Sequence, residues 1–401
     1  MLKPTGEIKY FFKETDWVLY LACIITSVFG AFMVYSATYN TIPEDSVIAR
    51  ECVSTIAGSV LGIIICFVIS LFDYEVIMRL SPFISAVCLL FMISLFKFGQ
   101  SPSNRSDAIC WLYFNIAGFK ISFQPSELLK TGFIISFTTH IDAVRDNINS
   151  LKNILFLGIH GIIPIGLVIL TGDLGSALVF VVIFIGMMFL AGVNLRYFIA
   201  GAAAVTAAIP VLWVKFFSTF QKNRLLAVYY PSALTKETYE AVIYQQARGL
   251  KAIGSGMLTG QGYLKGALTQ SGYVPVTESD MIITVIGEEL GFIGCLAVLG
   301  ILTFIVFRLA KDGRKSSNLS GYLLCTGAAL MIAAQSVINI GMCLSLLPCI
   351  GITLPFISSG GTSNMCIYFA IGVAMSVYRR CSERNPVNFR VRNISTPFRE
   401  I

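Results

Sequence analysis

The sequence predicts an all-α integral membrane protein of about ten transmembrane helices, because apolar runs of spanning length recur along nearly the whole chain and too little polar surface remains to cover a water-soluble globule. Of its 401 residues, 56% are hydrophobic and 13% charged, and the mean hydropathy is +0.77. A hydrocarbon core demands roughly 20 consecutive apolar residues per helix. Closed β-barrels are excluded, since these runs are continuously apolar whereas barrel strands alternate with period two.

The chain opens on a polar tail, residues 1–16 with Lys3, Lys9 and Lys13. The apolar run from Trp17 to Ala37 has full spanning length and no small-residue cleavage site, so it reads as a retained anchor and not a signal peptide. Further spans are expected at roughly 54–73, 80–96, 125–141, 154–171, 174–192, 196–216, 281–308, 321–347 and 363–378. The membrane domain then covers 17–378, and 379–401 is a second polar tail. With the N-terminus inside, the inner segments gather Arg79, Arg145, Lys152, Arg196, Arg308, Lys311, Arg314 and Lys315, and the last tail adds Arg379, Arg380, Arg384, Arg390, Arg392 and Arg399. The short outer loops hold Arg50, Lys97, Arg105 and Lys120. Both termini are therefore expected in the cytoplasm.

Residues 217–280 depart from that pattern. They form a large outer loop between helices 7 and 8, long enough to escape the positive-inside rule, and carry Lys222, Arg224, Lys236, Arg248, Lys251 and Lys265. These charges are either a solvated surface or an attraction for an anionic ligand such as a lipid pyrophosphate. No internal repeat or inverted duplication is visible, which weakens a secondary-transporter reading. The eleven cysteines are scattered through apolar runs without CxxC pairs and read as small core residues. His140 and His160 lie near no cysteine cluster, so no zinc site is expected.

Ionisable groups at membrane depth are costly, so each raises a functional reading and needs a partner. In QPSELLK, residues 124–130, Pro125 suits a first helical turn and places Glu127 and Lys130 three apart on one face. They form either a structural ion pair or a site in which Lys130 meets phosphate while Glu127 fixes its position. Asp173, in TGDLGSA between two spans, is either a helix N-cap or a functional carboxylate. Asp280 closes the basic loop in VPVTESDMIITVIGEELGFIG. It could cap the next helix, but its place at the membrane boundary suits a general base acting on a lipid-anchored substrate. Glu288 and Glu289 point in different directions on a helix, so a close carboxylate dyad is not expected.

From Pro348 to Met365, PCIGITLPFISSGGTSNM interrupts apolar sequence with prolines and glycines. Irregular backbone at this depth must be buried in protein or line a cavity. No Walker loop, Rossmann fingerprint, HExxH or GxSxG pattern is present in a working context, and neither nucleotide chemistry nor a nucleic-acid partner is expected.

Taken together, the chain resembles the SEDS family, whose members include RodA, FtsW and SpoVE. The likeness spans nearly the full chain and rests on QPSELLK at 124–130, GDLGSA at 172–177, YQQARGLKAIGSGMLTGQGYLKG at 244–266, SDMIITVIGEELGFIG at 279–294, Gln335 with NIGM at 339–342, and LPFISSGGTS at 354–363. Departures are Thr171-Gly172 for the usual Gln-Pro before Asp173, Ser279 for Thr before Asp280, and Ser359 where Tyr is common. The spacing around 270–290 leans towards RodA over FtsW.

The resemblance implies a ten-helix peptidoglycan glycosyltransferase in the bacterial cytoplasmic membrane. Its substrate would be lipid II, the undecaprenyl-pyrophosphate-linked disaccharide peptide, and its partner a class B penicillin-binding protein that supplies transpeptidation. Asp280 matches the family's essential loop aspartate, and Trp111, Glu127, Lys130 and Asp173 match functionally sensitive positions. Arg105, Gln245, Ser358 and Gly360 complete the candidate substrate contacts, with Arg224 and Arg248 from the basic loop. Forming a β-1,4 link from an α-linked donor inverts the anomeric carbon, so the chemistry needs a base near the acceptor hydroxyl and positive charge near the departing pyrophosphate. Asp280 is the expected base; Lys130, Arg224 and Arg248 are the expected cations. A divalent cation, magnesium or manganese, could share the pyrophosphate charge, although no dedicated ligand cage is visible. The rival reading is a lipid II flippase.

Overall fold

The computed structural model describes residues 15–42, 48–101, 108–116, 119–215 and 217–383; Arg105 and most of both polar tails lie outside them. Apolar chain in hydrocarbon becomes helical because every backbone N–H and C=O must find an internal partner. The helices are α1 (Trp17–Thr38), α2 (Arg50–Leu71), the short α3 (Tyr74–Arg79), α4 (Ser81–Phe98), α5 (Pro125–Val144), α6 (Leu151–Leu170), α7 (Leu174–Leu190) and α8 (Leu195–Lys215). Segment 217–280 contains α9 (Thr219–Tyr229), α10 (Lys236–Ser255) and the short α11 (Ala267–Gln270), and α12 (Ile282–Arg314), α13 (Leu319–Cys343) and α14 (Gly361–Glu383) follow.

Each predicted span coincides with one of these helices. Among the described residues, seven (α1, α2, α4, α6, α8, α12 and α13) are long and apolar enough to cross a membrane, and α7 is a shorter apolar helix. Helices α5 and α14 are more polar because neither has to face lipid: every side chain from Thr131 to Thr138 is buried, as are most from Thr362 to Val377. At the other extreme, no described side chain of α8 is buried.

Close packing follows the glycines. Helix α2 runs alongside α14, and a Cβ at Gly58 would come 2.3 Å from the Cα of Gly361. At one end of the bundle Asp16 caps α1, accepting from the Val18 and Leu19 amides, while Arg308 of α12 grips the same carboxylate at 2.5 and 2.9 Å. Arg380 pairs with Asp73 at that end too, 3.3 Å away.

The opposite end carries the hairpin, the long segment 217–280 and a break in α12. A hairpin of β1 (Leu112–Ile116) and β2 (Phe119–Phe123) pairs Leu112 with Phe123. Predicted as one span, α12 is two helical pieces: Gly291 sits at φ 69°, ψ −165°. The turn Met257–Gly262 fills the break, its Met257 and Leu258 carbonyls accepting from the Phe292 and Ile293 amides, and its Gln261 and Gly262 amides donating to the Glu288 and Glu289 carbonyls. Only glycine permits such contact: a Cβ at Gly256 would lie 1.9 Å from the Gly287 carbonyl oxygen.

Candidate active site

At this irregular end lies a cavity of about 850 Å³. Its walls come from Cys110 and Trp111 before and at the hairpin, Gln124 and Glu127 at the start of α5, Asp173 at the start of α7, Phe220 and Arg224 on α9, and Glu237, Tyr244 and Gln245 on α10. Loop residues Glu278, Ser279 and Asp280 and the segment containing Gly351, Thr353 and Ser359 close it.

Asp280 does not cap α12, which begins without a side-chain cap. Its segment is instead gripped by the backbone. The Glu278 carbonyl accepts from the Ser359 amide at 2.7 Å, the Ser279 carbonyl from the Ser358 hydroxyl at 2.5 Å, and the Asp280 carbonyl from the Asn339 side-chain amide at 2.9 Å. Three consecutive peptide units are thereby fixed, and Asp280 lines the cavity.

Asp173 is the helix N-cap of one of its sequence readings, and it also lies on the cavity. One oxygen caps α7 by accepting from the Ser176 amide at 3.0 Å, and the other accepts from Gln124 at 2.9 Å and Ser126 at 3.2 Å, while the residue lines the cavity. Glu127 and Lys130 form a 2.6 Å ion pair, with Lys130 0% exposed and Glu127 5%. Ser363 and Gln335 donate to the second Glu127 oxygen at 3.2 and 3.4 Å. Glu127 thus reaches the cavity, and Lys130 stands behind it.

Other sequence candidates divide the same way. Trp111, Arg224 and Gln245 line the cavity, Arg224 with its guanidinium 4.1 Å from the Phe220 ring and Gln245 bonded to the Pro275 carbonyl. Arg248 does not line it; its guanidinium is stacked between Tyr244 and Tyr273 at 3.7 and 4.1 Å and donates to the Tyr273 carbonyl. Ser358 is buried beneath the Asp280 segment, and Ser359 lines the wall beside Gly360.

The charge of the lining differs from the expected cationic surface. Among the described residues it holds five carboxylates, Glu127, Asp173, Glu237, Glu278 and Asp280, against one basic side chain, Arg224. Sequence reasoning missed Gln124, Glu237 and Glu278, although Gln124 opens the QPSELLK motif and Glu278 stands two residues before Asp280. Burial, with the charges of Glu51 and Asp280, pushes the Glu278 carboxyl up.

Glu288 and Glu289, both 0% exposed, are not among the residues that line the cavity. Glu288 accepts from the Leu268 and Thr269 amides at 2.8 Å and from Ser255; Glu289 accepts from Ser36, from Gln270 at 2.8 Å and from the Leu264 amide. They tie the turn and α11 to α12.

Residues 16–383 match the family model FtsW/RodA/SpoVE, described as cell cycle protein. The chain is 26% identical over 370 residues to peptidoglycan glycosyltransferase MrdB of Escherichia coli K12, covering 91% of this chain and 96% of that one. It is 29% identical over 393 residues to the probable peptidoglycan glycosyltransferase FtsW of Bacillus subtilis, covering 92% of each. The fold matches a chain of a solved peptidoglycan synthase complex with a TM-score of 0.74, at 23% identity over 92% of this chain and 99% of that one. It also matches the rod shape determining protein RodA of Thermus thermophilus with a TM-score of 0.64, at 22% identity over 91% of this chain and 97% of that one.

Proposed function

This chain belongs to the FtsW/RodA/SpoVE family of cell cycle proteins, and from that premise we propose that it is a peptidoglycan glycosyltransferase that polymerises lipid II on the outer face of the membrane. The observation that carries the mechanism is Asp280 on the lining of a large cavity, in a segment whose carbonyls are individually held. In the reaction the acceptor's 4-hydroxyl oxygen bonds to the donor's anomeric carbon, the bond from that carbon to the lipid pyrophosphate breaks, and Asp280 takes the hydroxyl proton. Such a base contributes about 10²–10⁴-fold in rate. Arg224 stabilises the departing pyrophosphate, and Glu127 and Asp173, each locked by its own donors, orient the sugars.

Sidedness is supported by the basic residues Arg145, Lys152, Arg196, Arg308, Lys315 and Arg380, which mark the bundle end away from the cavity, as an outward-facing site requires. The residues that follow Glu127 on α5, from Leu129 to Thr138, are buried, which argues against an open headgroup passage along that helix. A class B penicillin-binding protein is the proposed partner.

An acidic lining facing a pyrophosphate favours a divalent cation. Carboxylate oxygens suit magnesium or manganese, yet among the described residues no three ligating side chains gather around one point. Glu127, another carboxylate of the lining, would hold such an ion with substrate oxygens completing its shell, and it would supply charge neutralisation to the leaving group while Asp280 takes the proton. Chelation should abolish most polymerisation, and magnesium or manganese should restore it; unchanged rates in chelator would remove the ion from the proposal. Purified protein given lipid II in detergent tests the main reading: glycan chains should form, and should be lost in Asp280→Asn. Transbilayer movement of lipid II without polymer would overturn it.

A further inference from the structure

Asp280 stands on a segment that belongs to no helix, so something outside the segment must set its distance from the substrate. Asn339, fully buried in α13, carries a side-chain amide with two N–H groups, and both are used. One donates to the Asp280 carbonyl at 2.9 Å and the other to the Ile352 carbonyl at 2.6 Å. Asp280 and Ile352 both line the cavity, on different walls. The second wall is pressed in turn against α7: a Cβ at Gly175, two residues after Asp173, would lie 2.7 Å from the Ile352 side chain and 2.9 Å from the Ile350 carbonyl oxygen. Beside the Ser358 and Ser359 bonds, this one side chain therefore spans the Asp280 carbonyl itself and the wall that abuts Asp173.

We propose that Asn339 is a positioning residue of the transfer reaction, setting the Asp280 carboxylate against the acceptor hydroxyl without touching substrate. This rests on the reading of Asp280 as the base. The chemistry of the position is narrow. Aspartate would place oxygens against two carbonyl oxygens, and alanine would strip the Ile352 carbonyl of this donor and leave the Asp280 carbonyl only the weak Cys343 thiol at 3.5 Å. Misplacing a reacting group by about 1 Å costs up to about 10²-fold in rate. Substrate affinity, drawn from contacts across the whole cavity, is left intact.

The test uses full-length Asn339→Ala, Asn339→Asp and Ser358→Ala beside wild type and Asp280→Asn, following initial rates of lipid II polymerisation in detergent against substrate and against pH. Per folded molecule, kcat should fall about 10–100-fold in both Asn339 variants with KM within about twofold, and the acidic limb of the kcat profile should move. Ser358→Ala, which removes the donor to the neighbouring Ser279 carbonyl and the acceptor of the Leu354 amide but leaves the Asp280 carbonyl's own bonds, should show a smaller fall of the same kind. A purely structural role would lower the yield of folded protein and leave kcat and the pH profile of the folded fraction unchanged, which overturns the proposal. So does a loss confined to KM. Should both Asn339 variants fail to fold, wild-type kinetics in Ser358→Ala overturns it. Asp280→Asn separates the two levels: activity there sinks the base assignment, whereas an inactive Asp280→Asn beside fully active Asn339 variants sinks only the positioning role.

Discussion

Two sets of buried carboxylates lie near the same end of this bundle, and they do opposite work. Glu288 and Glu289 are enclosed on every side by donors from the chain itself: the Leu264, Leu268 and Thr269 amides, Ser36, Ser255 and Gln270. Glu127 and Asp173 are almost as buried and also bonded, yet each keeps part of its surface on the cavity. The desolvation penalty is common to both sets, so burial of charge alone does not mark a site. What marks it is a carboxylate whose remaining face looks into space that a ligand can fill.

The largest effect that could break this comparison is the contrast between Asp280→Asn and Glu288→Ala. Asp280→Asn should lower the polymerisation rate about 10²–10⁴-fold while leaving folded yield unchanged. Glu288→Ala should do the reverse, because the buried Thr269 amide loses its acceptor at about 1–3 kcal/mol and the half-buried Leu268 amide loses its acceptor too. Size-exclusion yield and rate per folded molecule separate the two; a rate loss in folded Glu288→Ala as deep as that of Asp280→Asn would erase the distinction.

Next in size is the ion pair beneath the cavity floor. Lys130→Met leaves Glu127 charged and uncompensated, and should cost about 3–5 kcal/mol of stability. Adding Glu127→Gln should recover much of that loss in thermal denaturation without recovering polymerisation, since Glu127 lines the cavity and Lys130 does not. Recovery of both would make the pair structural, like Glu288 and Glu289.

The sequence made some of this legible and hid the rest for identifiable reasons. Spanning runs are read from apolar length, which local composition determines, and all ten became helices. The i,i+3 spacing of Glu127 and Lys130 announced an ion pair, but the donors that hold the second Glu127 oxygen, Gln335 of α13 and Ser363 of α14, come from roughly 200 residues away in the chain. Likewise Gly291 sits in a continuous apolar run where one glycine costs only about 1 kcal/mol. Its break exists because a turn thirty-odd residues earlier supplies the missing carbonyls. Arg248 looked like a phosphate cation because charge is visible in sequence, while the two tyrosines that enclose it are brought together only by the fold.

The smallest effect concerns Glu278, which stands between the two sets: half-buried, on the cavity, and beside Asp280 in sequence. Burial first, then the charges of Glu51 and Asp280, pushes its carboxyl up. A value raised on folding means the folded protein holds the proton more tightly than the unfolded chain. The stability it contributes is then fully present below the ordinary carboxylate value of 4.5 and is lost as pH rises through the raised value. Glutamine is neutral at every pH, so Glu278→Gln should match wild type at the acidic end and exceed it in thermal stability above that window. Polymerisation should fall less than in Asp280→Asn, because Glu278 supplies charge near the transfer and not the proton acceptor. If the two proteins melt in parallel across the window, Glu278 titrates as a solvated carboxylate. The wall around Asp280 would then be open to water, and the enclosure that separates a site from a solvated surface would be absent where the chemistry needs it most.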